Sequence, residues 1–285
     1  MTFHSLLPVI RIHPILMIFI GISFLTGMFL ELSIILFLVL VHELGHYLAA
    51  KSFKWRIHHI MLWVFGGVME TDEHGNRPIW QEMIVTLAGP VQHLFIYGLI
   101  FMLQQADVFS PYIMDTMLYY NTIILIFNLL PIWPLDGGKM LLLLFSAMLP
   151  YKKAYNYTII FSMIVSAFLV CLQFFPFTLT SFLIMLFLFV ENRKEWKQRY
   201  YVFIRFLLNR FEGMSHIKKM QPIYISHTNT LMDVFSLFKR DRRHSIYIQF
   251  HNNRRISVDE NECLRSYFYD KQLDKPIGEV FQGSL

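Results

Sequence analysis

Apolar residues along this chain come in long blocks, with little of the two-residue or 3.6-residue alternation of a soluble fold. Blocks at 14–30, 32–50, 82–104, 114–130, 155–173 and 177–190 approach or reach the roughly 20 residues a helix needs to cross a bilayer. They predict a polytopic α-helical membrane protein of about six spans. A further apolar run, Leu141 to Leu149, either continues the fourth span or lies at the interface. Gly89–Pro90 is expected to break the third span near its start, because proline removes a helical donor. Residues 56–74, RIHHIMLWVFGGVMETDEH, have a strand-like run around Gly66–Gly67 and predict a short hairpin or membrane-embedded loop. Irregular backbone at that depth is tolerated only where protein or a wet cavity covers it.

From about Glu191 the pattern changes. Residues 191–214 are mixed in charge and periodic enough for a linker helix. Residues 215–285 predict a small soluble α/β domain, with strands at Ile223–Ile225 and Ser245–Gln249 and a helix at Thr230–Lys239. The expected organisation is a membrane domain over 1–190, the linker helix, and this C-terminal domain.

Composition agrees: 55% of residues are hydrophobic and 16% charged, against about a quarter charged in a soluble domain. The net charge of +5 matters less than its placement. Lys51, Lys54, Arg56 and Arg77 fall in one predicted loop, Lys152 and Lys153 in another. Arg193, Lys194, Lys197, Arg199, Arg205 and Arg210 follow the last span, while the remaining loops carry only Glu31, Asp107 and Asp115. The positive-inside rule then puts both termini in the cytoplasm and leaves an even number of crossings. The lipid bilayer is the expected surrounding, with no direct nucleic-acid partner. Arg11 and His13 precede the first apolar block, but no small-residue cleavage site follows, so a cleaved signal peptide is not expected. Cys171 lies in an apolar block and Cys263 in the polar tail, which argues against a disulfide.

The chemistry sits inside the second block. Residues 42–46 read His-Glu-Leu-Gly-His. On a helix, positions i and i+4 share a face, so His42 and His46 can direct two imidazole nitrogens at one Zn²⁺. Glu43, beside a ligand, is placed to act as general base on water at that metal. The pattern also occurs by chance in soluble helices. Here an acid within a spanning helix costs on the order of 2.5–3.5 kcal/mol, and so needs a compensating role. A catalytic zinc takes a third protein ligand. Asp136, in Asn128-Leu-Leu-Pro-Ile-Trp-Pro-Leu-Asp136-Gly-Gly-Lys139, arrives from the fourth span at the same membrane depth and is the candidate; its plainer reading is an Asp-Gly turn. Asn128 is a candidate donor to a substrate carbonyl or oxyanion, or else a helix-end hydrogen bond. Gly66 and Gly67 are candidate substrate contacts, since a substrate strand could pair with an exposed edge there, or else they form a plain turn. His93 is a further candidate lining residue, or else a satisfied core histidine.

HELGH at 42–46 and NLLPIWPLDGGK at 128–139 together resemble the site-2 protease family of intramembrane zinc metalloproteases, over most of residues 1–190. FGG at 65–67, EHGNRP at 73–78 and AGPVQH at 88–93 bring it nearest to members that act in sporulation. The resemblance implies zinc on His42, His46 and Asp136, and Glu43 as base. It implies a sigma-factor precursor as substrate, membrane-embedded inhibitory partners, and a place in the mother-cell-derived membrane around the forespore. The C-terminal domain resembles a single CBS motif, with Thr230, Asp233 and Arg243–Ser245 in corresponding places, which implies adenine nucleotide such as ATP, pairing into a homo-oligomer, or binding of a substrate protein; its plainer reading is a small scaffold domain without ligand. Two other classes compete: a membrane metal transporter using the same His/Asp site, and a non-catalytic membrane scaffold whose tail senses nucleotide.

Overall fold

The computed structural model describes residues 9–63, 66–71, 73, 75–172, 179–213, 219–250 and 254–282. Phe65 and His74 of the motifs, the start of the last predicted span at 177–178, and residues 215–218 lie outside them. The chain divides into two compact units: residues 1–74, 80–131 and 135–140 form one, and residues 75–79, 132–134 and 141–285 the other.

The first unit opens with β1 (Ile10–Ile12), α1 (Pro14–Thr26) and α2 (Phe29–Ser52). The hairpin of β2 (Ile57–Trp63) and β3 (Gly66–Thr71) follows, then α3 (Ile79–Gln105) and α4 (Pro111–Leu129). The expected hairpin is present, with Trp63 opposite Gly66 and Leu62 opposite Gly67. Gly66 has φ +142°, a conformation that β-carbon-bearing residues rarely adopt. The short β1, which carries no pattern of its own, adds in parallel to β2 and makes a three-stranded sheet, with β3 at its outer edge. Leu16, Val39, Trp55, Ile60, Leu62, Met69 and Val85 bury between sheet and helices. Ile34, Leu38, Ile96, Ile100, Met114 and Met117 form a second apolar layer. A β-carbon on Gly45 would stand 2.5 Å from the Ala88 carbonyl oxygen, so this glycine is what lets α2 and α3 lie backbone to backbone.

Gly89–Pro90 does not break the third span: α3 runs unbroken through Pro90, because a helix can pass a proline when neighbouring groups take up the freed carbonyl. Among the described residues three helices, α2, α3 and α6 (Tyr151–Leu172), are long and apolar enough to cross a membrane. This is fewer than the expected six. With 13 residues, α1 extends only about 20 Å against a hydrocarbon core of about 30 Å. In α4 the apolar run is diluted by three tyrosines and two asparagines. Leu94, Phe95, Phe101 and Met102 of α3 are exposed, a surface that lipid would cover.

The second unit holds most of α5 (Asp136–Met148), all of α6, and α7 (Leu179–Phe211), of which the expected linker helix is the second half. The C-terminal segment is a small α/β module: β4 (Met220–Ser226), α8 (Leu231–Phe235), β5 (Arg243–Gln249), β6 (Arg255–Asp259), α9 (Glu260–Phe268) and α10 (Ile277–Gln282). β4 pairs in parallel with β5, and β5 antiparallel with β6. The expected helix Thr230–Lys239 is helical only to Phe235: the capping box at Thr230 and Asp233 starts it, and beyond it the Leu237 and Phe238 N–H groups donate to the Val234 and Phe235 carbonyls in tighter three-residue turns. Ile223, Ile246, Ile248, Val258, Phe235, Phe238 and Leu264 fill the core. Both cysteines are free, Cys171 exposed and Cys263 buried.

One buried ion network ties α7 to this module. Arg210 donates to both carboxylate oxygens of Glu260, at 2.5 and 2.9 Å, and to the carbonyls of Lys239, Arg240 and Arg242. Glu260 also accepts from the His244 backbone N–H and faces its Nδ1 at 3.1 Å. Burial pushes the Glu260 carboxyl up, but the bond from His244 and the Arg210 charge outweigh it and hold it below the usual range. Burial holds His244 below the usual histidine range, against the pull of Glu260. Both shifts have one sign in stability: as pH falls through the ordinary histidine and then carboxylate ranges, the unfolded chain takes up protons that the folded module refuses, and stability is lost. Arg210→Ala would leave the Glu260 charge buried and uncompensated, at a cost of about 3–5 kcal/mol. Hydrogen exchange of the β5 amides would read this as faster exchange confined to the second unit, the difference from the wild-type chain shrinking as lower pH protonates Glu260 and removes the uncompensated charge.

Candidate metal centre

His42 and His46 stand one turn apart on α2. Asp136 opens α5 after the short non-helical passage that follows α4. A β-carbon on the next residue, Gly137, would meet the carbonyl oxygens of Leu130 and Leu129 at 2.3 and 2.4 Å. Glycine there lets the first turn of α5 lie on the end of α4, and so delivers the carboxylate.

The three side chains meet. Asp136 Oδ2 lies 3.1 Å from His42 Nε2 and 2.9 Å from His46 Nε2, and the two Nε2 atoms are 3.1 Å apart. All three residues are buried, and among the described residues they are the one His/Cys/Asp/Glu group whose ligand atoms converge in this way. Two ligands about 2.0–2.1 Å from a tetrahedral ion sit about 3.3 Å from each other, so the spacing fits one zinc. The hydrogen-bonding roles fit too. His46 Nδ1 lies 2.7 Å from the Val85 carbonyl oxygen, which can only accept. The proton is therefore on Nδ1, and Nε2 offers a lone pair to the cluster, as a ligating histidine must. The other carboxylate oxygen, Asp136 Oδ1, takes a bond from Lys139 Nζ at 3.1 Å, which turns Oδ2 toward the imidazoles.

Glu43 is buried beside the cluster, and its neighbour is Gly67 of β3. A β-carbon at Gly67 would stand 2.2 Å from Glu43 Cγ and 2.9 Å from its Oε1. At Gly89 of α3 it would stand 2.3 Å from His46 Nε2 and 2.8 Å from His42 Cε1. The two glycines line different sides of the site, and this separates their predicted effects. Gly89→Ala should displace both imidazoles and weaken zinc binding at least tenfold. Gly67→Ala should leave zinc content unchanged and lower peptide cleavage by about 100-fold, the loss expected when a reacting group is displaced by about 1 Å. Zinc content and cleavage rate measured on both variants check the pair.

The remaining candidates fall as follows. Asn128 donates through Nδ2 to the Ile124 carbonyl of its own helix at 3.1 Å, which engages one of its two N–H bonds. Gly66 lies in the hairpin next to Gly67, on the edge strand of the sheet. His93 is 0% exposed, and its two ring nitrogens face His42 Nδ1 at 3.1 Å and Asn121 Oδ1 at 2.7 Å, which matches the plainer reading of a satisfied core histidine. Asn121, Lys139 and the Val85 carbonyl are supporting groups that residue spacing does not single out. A buried asparagine within an apolar helix is the one signal of this kind a sequence carries.

Residues 30–111 and 104–172 match the profile of Peptidase family M50. The chain belongs to this family of site-2 proteases, and it is a metallopeptidase. Over 274 residues, 95% of each chain, it is 38% identical to stage IV sporulation protein FB of Bacillus subtilis. It is 33% identical over 146 residues, 49% of this chain and 42% of the other, to a zinc metalloprotease of Methanocaldococcus jannaschii. The solved structure of a site-2 protease from the same archaeon superposes with a TM-score of 0.53 at 24% identity, over 65% of this chain and 89% of that one, which establishes a shared fold.

Proposed function

We propose that this chain is an intramembrane zinc endopeptidase that removes the pro-segment of a sporulation sigma-factor precursor, with His42, His46 and Asp136 as ligands and Glu43 as base. The observation that carries the reading is the convergence of three buried donor atoms from two separate segments within 3.1 Å of one another, with the buried Glu43 beside a ligand and outside that group. Zinc, when bound there, supplies Lewis acidity toward water and the scissile carbonyl. Glu43 takes the proton from the attacking water and returns one to the leaving amine. Asn128 offers its second N–H to the developing oxyanion. The outer edge of β3, with Gly66 and Gly67, receives the substrate as an added strand, which holds the scissile segment extended beside Glu43. Likeness to a sporulation protein over nearly the whole chain supports the biological setting.

The same proposal has the chain multi-pass with both termini cytoplasmic, α1, α4 and the start of α7 completing six crossings with α2, α3 and α6. It sits in the membrane around the forespore, held in check by membrane-embedded inhibitory partners. The β-α-β-β-α order from β4 to α9 supports a single CBS-like module, receiving adenine nucleotide or pairing with a second copy. In the test, the purified full chain is reconstituted in vesicles with a candidate precursor, and both product masses and zinc flux are followed. Cleavage that a chelator stops and zinc restores, without flux, is the expected result. Flux without cleavage would establish the metal-transporter reading instead.

A further inference from the structure

His42 and His46 are treated differently by the fold. His46 has a backbone carbonyl to hold its Nδ1 proton, whereas Nδ1 of His42 faces a second histidine, His93, across 3.1 Å. Two neutral imidazole nitrogens bond only if one carries a proton and the other does not. Asn121 decides which. Its Oδ1 lies 2.7 Å from His93 Nδ1, and its Nδ2 donates to the His93 carbonyl at 3.2 Å. Turning the amide over would set Oδ1 against that carbonyl oxygen, so its orientation is fixed. His93 must then carry its proton on Nδ1, because the other tautomer would oppose two lone pairs. Its Nε2 is thereby an acceptor, His42 Nδ1 is the donor, and His42 Nε2 is left with a lone pair aimed at His46 Nε2 and Asp136 Oδ2. His93 and Asn121 are both 0% exposed, so no water competes for these bonds.

We infer that Asn121 and His93 are positioning residues that set the tautomer and orientation of His42, so that its Nε2 is ready to ligate metal. The inference rests on the metal reading of the site and goes beyond it, assigning work to two side chains that touch neither metal nor substrate. Losing such a supporting partner costs about 10–100-fold in metal affinity.

The test is zinc affinity of the purified full chain, measured by competition with a chromophoric chelator. His93→Gln puts an amide oxygen where Nε2 was and can still accept from His42; His93→Leu fills the space but cannot. The expected result is zinc binding about 10–100-fold weaker in His93→Leu and within a few-fold of wild type in His93→Gln. Equal affinities of the two variants, whether both near wild type or both weak, would overturn the inference, because space-filling rather than acceptance would then be what matters. Failure of the wild-type chain to bind zinc at all would bring down the metal reading itself. Asn121→Leu, which removes the acceptor for His93 Nδ1, should weaken zinc binding in the same way as His93→Leu.

Discussion

Glu43→Gln is expected to lower cleavage by about 10²–10⁴-fold, the usual contribution of a general base, while one zinc stays bound per chain. The two side chains are nearly the same shape, so the close seat against Gly67 is kept and the hairpin has no reason to shift. What changes is proton affinity: an amide cannot take the proton of an attacking water. His42, His46 and Asp136 converge without help from Glu43, so metal content should not follow activity. Product formation from a precursor, measured beside zinc by elemental analysis, separates the two readouts. Full activity in the variant would remove Glu43 from the mechanism. Loss of zinc along with activity would mean that Glu43 is a ligand.

Asp136→Ala should have the opposite profile, losing metal and activity together. Its Oδ2 is the one anionic atom shared by both imidazoles, and removing it leaves two neutral nitrogens beside the Lys139 ammonium, which would repel a cation. The loss of zinc affinity should exceed the roughly 100-fold ceiling for a supporting residue. Added zinc should therefore fail to restore cleavage at concentrations that saturate the wild-type chain. Asp136→Ala retaining wild-type affinity would show that the third ligand is elsewhere.

How far the sequence disclosed all this depends on how local each signal is. His42 and His46 are legible because helical spacing alone puts them on one face, and because polar residues in an apolar block demand a reason. Asp136 is legible only through an argument about depth, since by itself Asp-Gly reads as a turn. Gly67 is legible only as a candidate substrate contact and Gly89 only as a helix breaker; their close seats against Glu43 and the imidazoles are unreadable, because what each excludes is a side chain from another element, and this exists only once α2, α3 and β3 are packed. His93 shows the same limit. Its spacing places it on α3, but its meaning depends on His42 of α2 and Asn121 of α4. Pro90 misleads because a local rule against proline is outweighed by tertiary context. In the C-terminal module, α9 carries a sequence signal in Asp259 followed three residues on by Glu262, a capping box present in the fold. β1 has no such signal, being three residues whose order comes from the strand they join.

The central claim is that two helical histidines and one distant aspartate hold a single zinc. X-ray absorption at the zinc edge of the loaded full chain tests this most directly. The account predicts a shell of nitrogen and oxygen at about 2.0–2.2 Å with the scattering of two imidazoles, reduced to one in His46→Ala if zinc is retained there. A shell containing sulfur near 2.3 Å, or one with no imidazole scattering, would contradict it.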